Sequence, residues 1–362
     1  MTDFRPARLG GGREALARAD LDALLVSSLP NVRYLSGFSG SNALLLVTAR
    51  ECLLFTDFRY ATQVADEVSD AVTVRIEPSS LWTGLWAALG AQTGVERVGF
   101  ESAHLWHRDF QRLLESGARW QWRPTTDHVE MLRERKDPGE IACIARAIGI
   151  AQRALAATVP MIRPGLSETQ VAGLLEHHLR DEGSEDFPFS SIVASGPRSA
   201  LPHARAGTRM LQTGDWVLLD FGAVRGGYCS DITRTVVLGR ASDEQREVYE
   251  VVREANARAS GALRVGMKGM AADAVAREYI DACGLGEAFG HSLGHGIGLE
   301  VHEAPRLAKA ADAPLSSGAV VTIEPGVYKP GWGGVRIEDD VLLTDDGPRI
   351  LTTFPRDLHE LI

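Results

Sequence analysis

The chain has 362 residues, 44% of them hydrophobic and 24% charged, a balance that suits a soluble globular protein of two domains. Its formal net charge of −10 argues against nucleic acid or an anionic membrane as partner, since both favour basic surfaces. No apolar run is long enough to span a membrane, the N-terminus lacks a signal-peptide core, and Cys52, Cys143, Cys229 and Cys283 show no CxxC spacing, so a cytoplasmic protein with reduced thiols is expected.

From about residue 10 to 125, short apolar or β-branched runs at 21–27, 43–48, 51–56, 73–76 and 98–100 alternate with helical patterns such as 105–114. This predicts a small α/β domain with no chemistry of its own. Its SGFSGS stretch, residues 36–41, is built of residues small enough to approach a ligand, although a turn between strands would use the same residues. Residues 123–127, RPTTD, read as a linker, which divides the chain into domains 1–128 and 129–362. A long helix over 141–158 then follows, with Asp137 as its N-cap and Pro138 in its first turn.

Residues 216–239, WVLLDFGAVRGGYCSDITRTVVLG, predict strand, turn, strand. Asp220 ends the first apolar run and Asp231 opens the second. Both would be ordinary turn-capping residues if the pattern stood alone, yet a buried aspartate is costly unless paired or bound to metal. The pattern returns in residues 320–344, where Glu324 and Glu338 hold the corresponding places and Gly326 stands to Glu324 as Gly222 stands to Asp220. Glu324 follows Asp220 by 104 residues, and Gly266 follows Gly165 by 101, each glycine ahead of a helical pattern (167–181 and 271–283). A duplicated α/β unit is implied. Two such halves facing each other would gather four carboxylates, which cannot share a site without cations.

The histidines cluster beside these hairpins. His203 ends the Pro-punctuated loop 195–204, and His291, His295 and His302 lie within GHSLGHGIGLEVHE, residues 290–303. Gly294, Gly296 and Gly298 oppose an interior helix there, so a strand-like segment with close backbone packing is expected.

With these residues in place, the second domain resembles the pita-bread metallopeptidases: methionine aminopeptidase, aminopeptidase P and prolidase. DFGAVRGGYCSDITRT, HSLGHGIGLEVHE, TIEPGVY and GGVRIED carry the resemblance, which runs from about Lys136 to the end. The residues ahead resemble the creatinase-type domain found in the last two and absent from methionine aminopeptidase. The fold so implied is α/β (α+β), a creatinase-type N-terminal domain followed by a pseudo-twofold pita-bread catalytic domain. Carried over by position, the resemblance implies metal ligands Asp220, Asp231, His295, Glu324 and Glu338, with Asp231 and Glu338 bridging two ions. It makes His203 and His302 substrate-binding and proton-handling groups, Glu324 the general base, and His291 and Arg336 pocket residues, with Thr233 and Arg336 orienting the ligands. Ala204, where the family often has Gly, and Phe58 in TDFRY are departures that remove no functional group.

The chemistry agrees with that assignment. Oxygen-dominated ligation with one imidazole suits two divalent ions, Mn²⁺ first, with Co²⁺ or Zn²⁺ able to substitute. Two such ions would activate a shared hydroxide and polarise a scissile carbonyl. The expected activity is that of a Xaa-Pro aminopeptidase (aminopeptidase P), cleaving between an N-terminal residue and a following proline and assembled as a homodimer or homotetramer. GFSGS and TDFRY favour that branch; the alternative is a Xaa-Pro dipeptidase, or prolidase, restricted to dipeptides. A dinuclear phosphoesterase would want more Lys or Arg around the site, and an inactive binding protein on this fold would have lost ligands.

Overall fold

The computed structural model describes residues 2–361 and divides into two compact units, one ending at Arg133 and one beginning at Glu134. The division falls a few residues beyond the expected 128/129, because the short helix Glu130–Arg133 is tied to the first unit. Asn31 donates to the Glu130 carboxylate at 2.6 Å, and Arg133 donates to the Asn31 side chain at 2.8 Å.

The first unit holds six strands: β1 (Ala23–Val26), β2 (Leu44–Thr48), β3 (Cys52–Asp57), β4 (Thr73–Glu77), β5 (Arg97–Glu101) and β6 (Gln121–Thr125). They form one sheet in the order β4-β3-β2-β1-β5-β6, with β2 antiparallel to its neighbours and the other pairs parallel. Where a linker was expected, Arg123, Pro124 and Thr125 run in the edge strand β6. Pro124 fits because an edge strand needs no donor on its outer side.

The second unit is built twice over. Its first half has strands β7 (Ile192–Ser195), β8 (Trp216–Phe221), β9 (Val224–Arg225), β10 (Tyr228–Cys229) and β11 (Ile232–Leu238). The second half has β12 (Gly294–Gly296), β13 (Glu303–Leu307), β14 (Val320–Ile323), β15 (Gly326–Lys329), β16 (Gly333–Arg336) and β17 (Asp339–Thr344), followed by β18 (Gly347–Ile350) and β19 (Glu360–Leu361). In each half two long antiparallel strands, β8 with β11 and β14 with β17, enclose a short hairpin, β9–β10 or β15–β16. This is the pseudo-twofold pita-bread arrangement.

Each half packs its own helices on one sheet face. Ile144 and Leu155 of the helix Pro138–Thr158 and Val171 and Leu175 of the helix Glu168–Asp181 pack with Val217, Leu219 and Ile232. Val252 of the helix Asp243–Ala262 and Ala276 and Ile280 of the helix Gly269–Ala282 pack with Val321, Ile323 and Val341. Alternation then turns Asp220 and Thr233 to the opposite face of the first sheet, where they are register partners. Trp216 and Val237 join the second half's core, and Val320 and Leu342 join the first's, so the two sheets meet through their acid-bearing faces.

Local chemistry explains the main helix starts. Asp137 accepts the N–H groups of Gly139 and Glu140 at 2.8 and 3.0 Å, and Glu140 returns a bond to the Asp137 N–H. The helix Pro138–Thr158, with the 3₁₀ turn Val159–Met161 that continues it, is long and apolar enough to cross a membrane by composition alone, but its apolar side is the core just described. In the 290–303 segment only Gly294–Gly296 and, at its end, Glu303 are strand. Gly296 is required there, since a Cβ would sit 2.0 Å from the Ala304 carbonyl oxygen.

Candidate metal centre

The four acids arrive from equivalent places in the two halves. Asp220 lies near the end of β8 and Asp231 just before β11, while Glu324 follows β14 and Glu338 precedes β17. His295 stands in β12, the strand beside β14. Donor atoms of Asp231, His295 and Glu338 lie within 4.8 Å of one another, and all three residues are buried. The His295 Nε2 is 3.7 Å from Asp231 Oδ2 and 3.6 Å from Glu324 Oε1. Its Nδ1–H donates to the Gly296 carbonyl at 3.0 Å, which leaves the Nε2 lone pair facing those carboxylates.

Arg336, paired with Asp220, is one cation against four carboxylates. Burial pushes the carboxyls of Asp231, Glu324 and Glu338 above the ordinary range, and their mutual repulsion adds to it. Burial also lowers His295 to about 4, so its imidazole is neutral at ordinary pH. Oδ1 of Asp220 and Oδ1 of Asp231 are buried without a hydrogen-bond partner. Buried acceptors facing one another with no donor between them are what divalent cations satisfy. The residues present therefore fit the expected pair of ions: a hard, oxygen-rich donor set with one imidazole.

A second layer of bonds orients the acids. Thr233 donates its hydroxyl to Glu338 Oε2 at 2.6 Å and accepts from Arg336 Nε at 3.0 Å. Arg336 also donates through Nη2 to Asp220 Oδ2 and through Nη1 to the Tyr328 hydroxyl at 2.7 Å. Tyr328 in turn donates to His291 Nε2 at 2.9 Å, and His291 Nδ1–H donates to the Ser292 carbonyl. One continuous chain of bonds thus links Glu338 and Asp220 to His291. Burial, with the Arg336 charge, lowers His291 to about 4.

Nine of the ten site residues singled out from the sequence line one cavity of about 530 Å³: His203, Asp220, Asp231, His291, His295, His302, Glu324, Arg336 and Glu338; the tenth, Thr233, is bonded to Glu338 and Arg336. His203 is exposed at its edge. His302 is also exposed, with its ring 4.3 Å from that of His295, and partial desolvation, then the Arg306 charge, lower its pKa. Sequence reasoning missed Tyr328, Arg205 and Arg306. Arg306 lies four residues past His302, just beyond the 290–303 stretch read for its histidines, and Tyr328 is the last residue of the TIEPGVY motif. A cavity of about 630 Å³ in the first unit is larger, but most of its charged groups are paired, among them Asp57 with Arg59, His104 with Glu130 and Asp109 with Arg112.

Comparison with known proteins agrees with this geometry. Residues 142–345 match the model of metallopeptidase family M24, and residues 8–135 match the creatinase/prolidase N-terminal domain. A Xaa-Pro dipeptidase of Pyrococcus horikoshii is 37% identical over 95% of this chain and 96% of its own length. The structure of a Xaa-Pro dipeptidase from Bacillus anthracis superposes with a TM-score of 0.94 at 38% identity, covering 98% of this chain and 99% of that one. That of an X-Pro aminopeptidase from Thermotoga maritima superposes at 0.88 and 40% identity, covering 96% and 97%. With the duplicated acid hairpins, the single imidazole among them and the domain ahead of them all matched, the chain belongs to metallopeptidase family M24, a pita-bread peptidase behind a creatinase/prolidase-type N-terminal domain.

Proposed function

We propose that this protein hydrolyses the bond between an N-terminal residue and a following proline, and that Xaa-Pro dipeptides are its preferred substrates. The observation that carries this reading is the pair of arginines, Arg205 and Arg306, on the wall of the cavity that holds the metal donors. A dipeptide presents its free proline carboxylate close to the scissile bond, and a guanidinium binds a carboxylate in two-point fashion. The expectation of an aminopeptidase P gives way here to its alternative. Relatives named Xaa-Pro dipeptidase support that choice. The T. maritima X-Pro aminopeptidase, at 40% identity, supports the second reading, in which longer peptides are also cleaved.

Asp220, Asp231, His295, Glu324 and Glu338 are the proposed ligands of two divalent ions, Mn²⁺ before Co²⁺ or Zn²⁺. When bound, such ions supply Lewis acidity at the scissile carbonyl and lower the pKa of water. Glu324 takes up the proton of the attacking water and passes it to the proline nitrogen, which as a tertiary amide has no proton of its own. His302 and His203 meet the carbonyl as it gains charge, and His291, held by Tyr328, lines the substrate pocket. A homodimer or homotetramer is part of the same proposal, and sedimentation tests it.

The deciding assay compares kcat/KM for a Xaa-Pro dipeptide with that for the same dipeptide extended after proline. The dipeptide should win, and Arg306→Gln should raise KM for it while sparing the extended peptide. Faster cleavage of the extended peptide would return the aminopeptidase reading.

A further inference from the structure

His203 and His291 reach the cavity on segments with little regular structure, so the backbone groups there need partners from elsewhere. Both segments find the same kind of partner. In the first half it is Glu168, the first residue of the helix Glu168–Asp181 and fully buried. Its Oε1 accepts the Ser195 N–H at 2.8 Å and its Oε2 accepts the Gly207 N–H at 3.0 Å, so one carboxylate closes both ends of the loop that carries His203. Arg198, inside that loop, donates to Glu168 at 3.0 Å and to the Arg205 carbonyl at 2.7 Å.

In the second half the partner is Asp273, on the helix Gly269–Ala282, 105 residues after Glu168. Its Oδ1 accepts the Leu293 N–H at 3.0 Å. Arg277 binds Asp273 through two nitrogens, at 2.7 and 2.8 Å, and donates to the carbonyls of Phe289 and His291 at 2.8 and 2.7 Å. Its guanidinium also lies 4.2 Å from the centroid of the Phe289 ring, whose edge meets the His291 ring. A buried carboxylate near the start of the corresponding helix and an arginine grip the backbone on each side, the arginine standing in the loop in the first half and on the helix in the second. Among the described residues, neither pair is bonded to any of the five candidate ligands.

We propose that Glu168–Arg198 and Asp273–Arg277 are two positioning pairs of like chemistry, the first setting His203 and the second His291 for the substrate. This rests on the cavity being a Xaa-Pro peptidase site. Each pair fixes where an imidazole stands without altering the donor set. Displacing a positioned group by about 1 Å can cost about 10²-fold in rate.

The test is a double-mutant cycle in the full, Mn²⁺-loaded protein, using Arg198→Met and Arg277→Met. Each should keep its metal by mass spectrometry and lose about 10²-fold in kcat/KM. Arg198→Met should cost nothing more once His203→Ala is present, and Arg277→Met nothing more beside His291→Ala, because each pair acts through its own histidine. Crossed combinations, such as Arg198→Met with His291→Ala, should multiply. If Arg198→Met costs the same factor with or without His203, or if either Met variant empties the metal site, the proposal falls. Should a Met variant not fold, the Lys variant keeps one donor and enters the same cycle. Histidine side-chain NMR of the chelated protein decides independently of turnover: Arg198→Met should move the His203 resonance and leave that of His291, and Arg277→Met the reverse. A wild-type protein that cleaves no Xaa-Pro peptide would sink the functional reading, and the NMR result would then judge the pairs alone.

Discussion

Glu101 in the first unit and Asp231 in the second are both buried carboxylates, and burial pushes both above the ordinary pKa range. Their surroundings differ. Glu101 accepts the N–H groups of Ser27 and Ser28 at 2.6 and 2.7 Å and the Asn31 amide at 2.7 Å, so its oxygens are met by donors. Asp231 has one oxygen with no partner and another facing the lone pair of a neutral histidine. Burial alone does not mark a functional acid. A buried acceptor surrounded by further acceptors does, because only a cation resolves it.

The sharpest way to break this comparison is to truncate both. Asp231→Ala should empty the metal site and cost more than the ~10²-fold expected for losing an outer partner of a ligand. Glu101→Ala should leave kcat/KM of the folded protein unchanged. Metal analysis and turnover on the same samples check both, and an inactive but folded Glu101→Ala would undo the contrast.

A second, smaller effect separates ligand from substrate-handling histidine within the cavity. His302→Ala should retain metal and lose about 10²-fold in rate, the scale of polarising or proton-transferring groups. His295→Ala should lose the metal itself. Equal metal loss in the two variants would erase the distinction.

Stability effects come next. Removing the Glu101 carboxylate strands the Ser27, Ser28 and Asn31 donors, at about 1–3 kcal/mol for each group left without a partner, seen as a lower denaturation midpoint. The pH profile of the chelated protein sharpens the same point. Asp231, Glu324 and Glu338 hold protons longer in the native state than in the unfolded chain, so stability falls as pH rises through their elevated folded values. His291 and His295, at about 4 against an ordinary 6.5, work the other way, adding stability as pH rises between those values and none beyond. Above pH 6.5 only the carboxylate slope remains. The chelated protein's Tm should drop from pH 6.5 to 8, whereas added Mn²⁺ should flatten the curve, since ions replace the protons. A chelated Tm that rises over this window would mean the cluster is not strained.

Much of this molecule was legible in the residue order because its signals are local. An apolar run ending in an acid, a Gly-rich turn, a second acid and a β run occur together within about 25 residues, twice, and that is enough to state the duplication and the five candidate ligands. The Asp137 cap, the helix it opens and the turn glycines Gly226 and Gly227, at φ of 61° and 78°, follow from rules that reach only a few residues along the chain. Tertiary structure decided what depends on side chains remote in sequence. Residues 123–125 run in strand β6 instead of a linker because β5 offers them an edge, which no feature of RPTTD encodes. Arg336 reaches Asp220 across 116 residues and Thr233 across 103. The unpartnered oxygens of Asp220 and Asp231, the Arg306 charge beside His302, and the grip of Glu168 on both ends of the His203 loop likewise exist only once the chain has folded. Hydrogen bonds and charge–charge effects act over a few ångströms in space, and the chain order does not specify those separations.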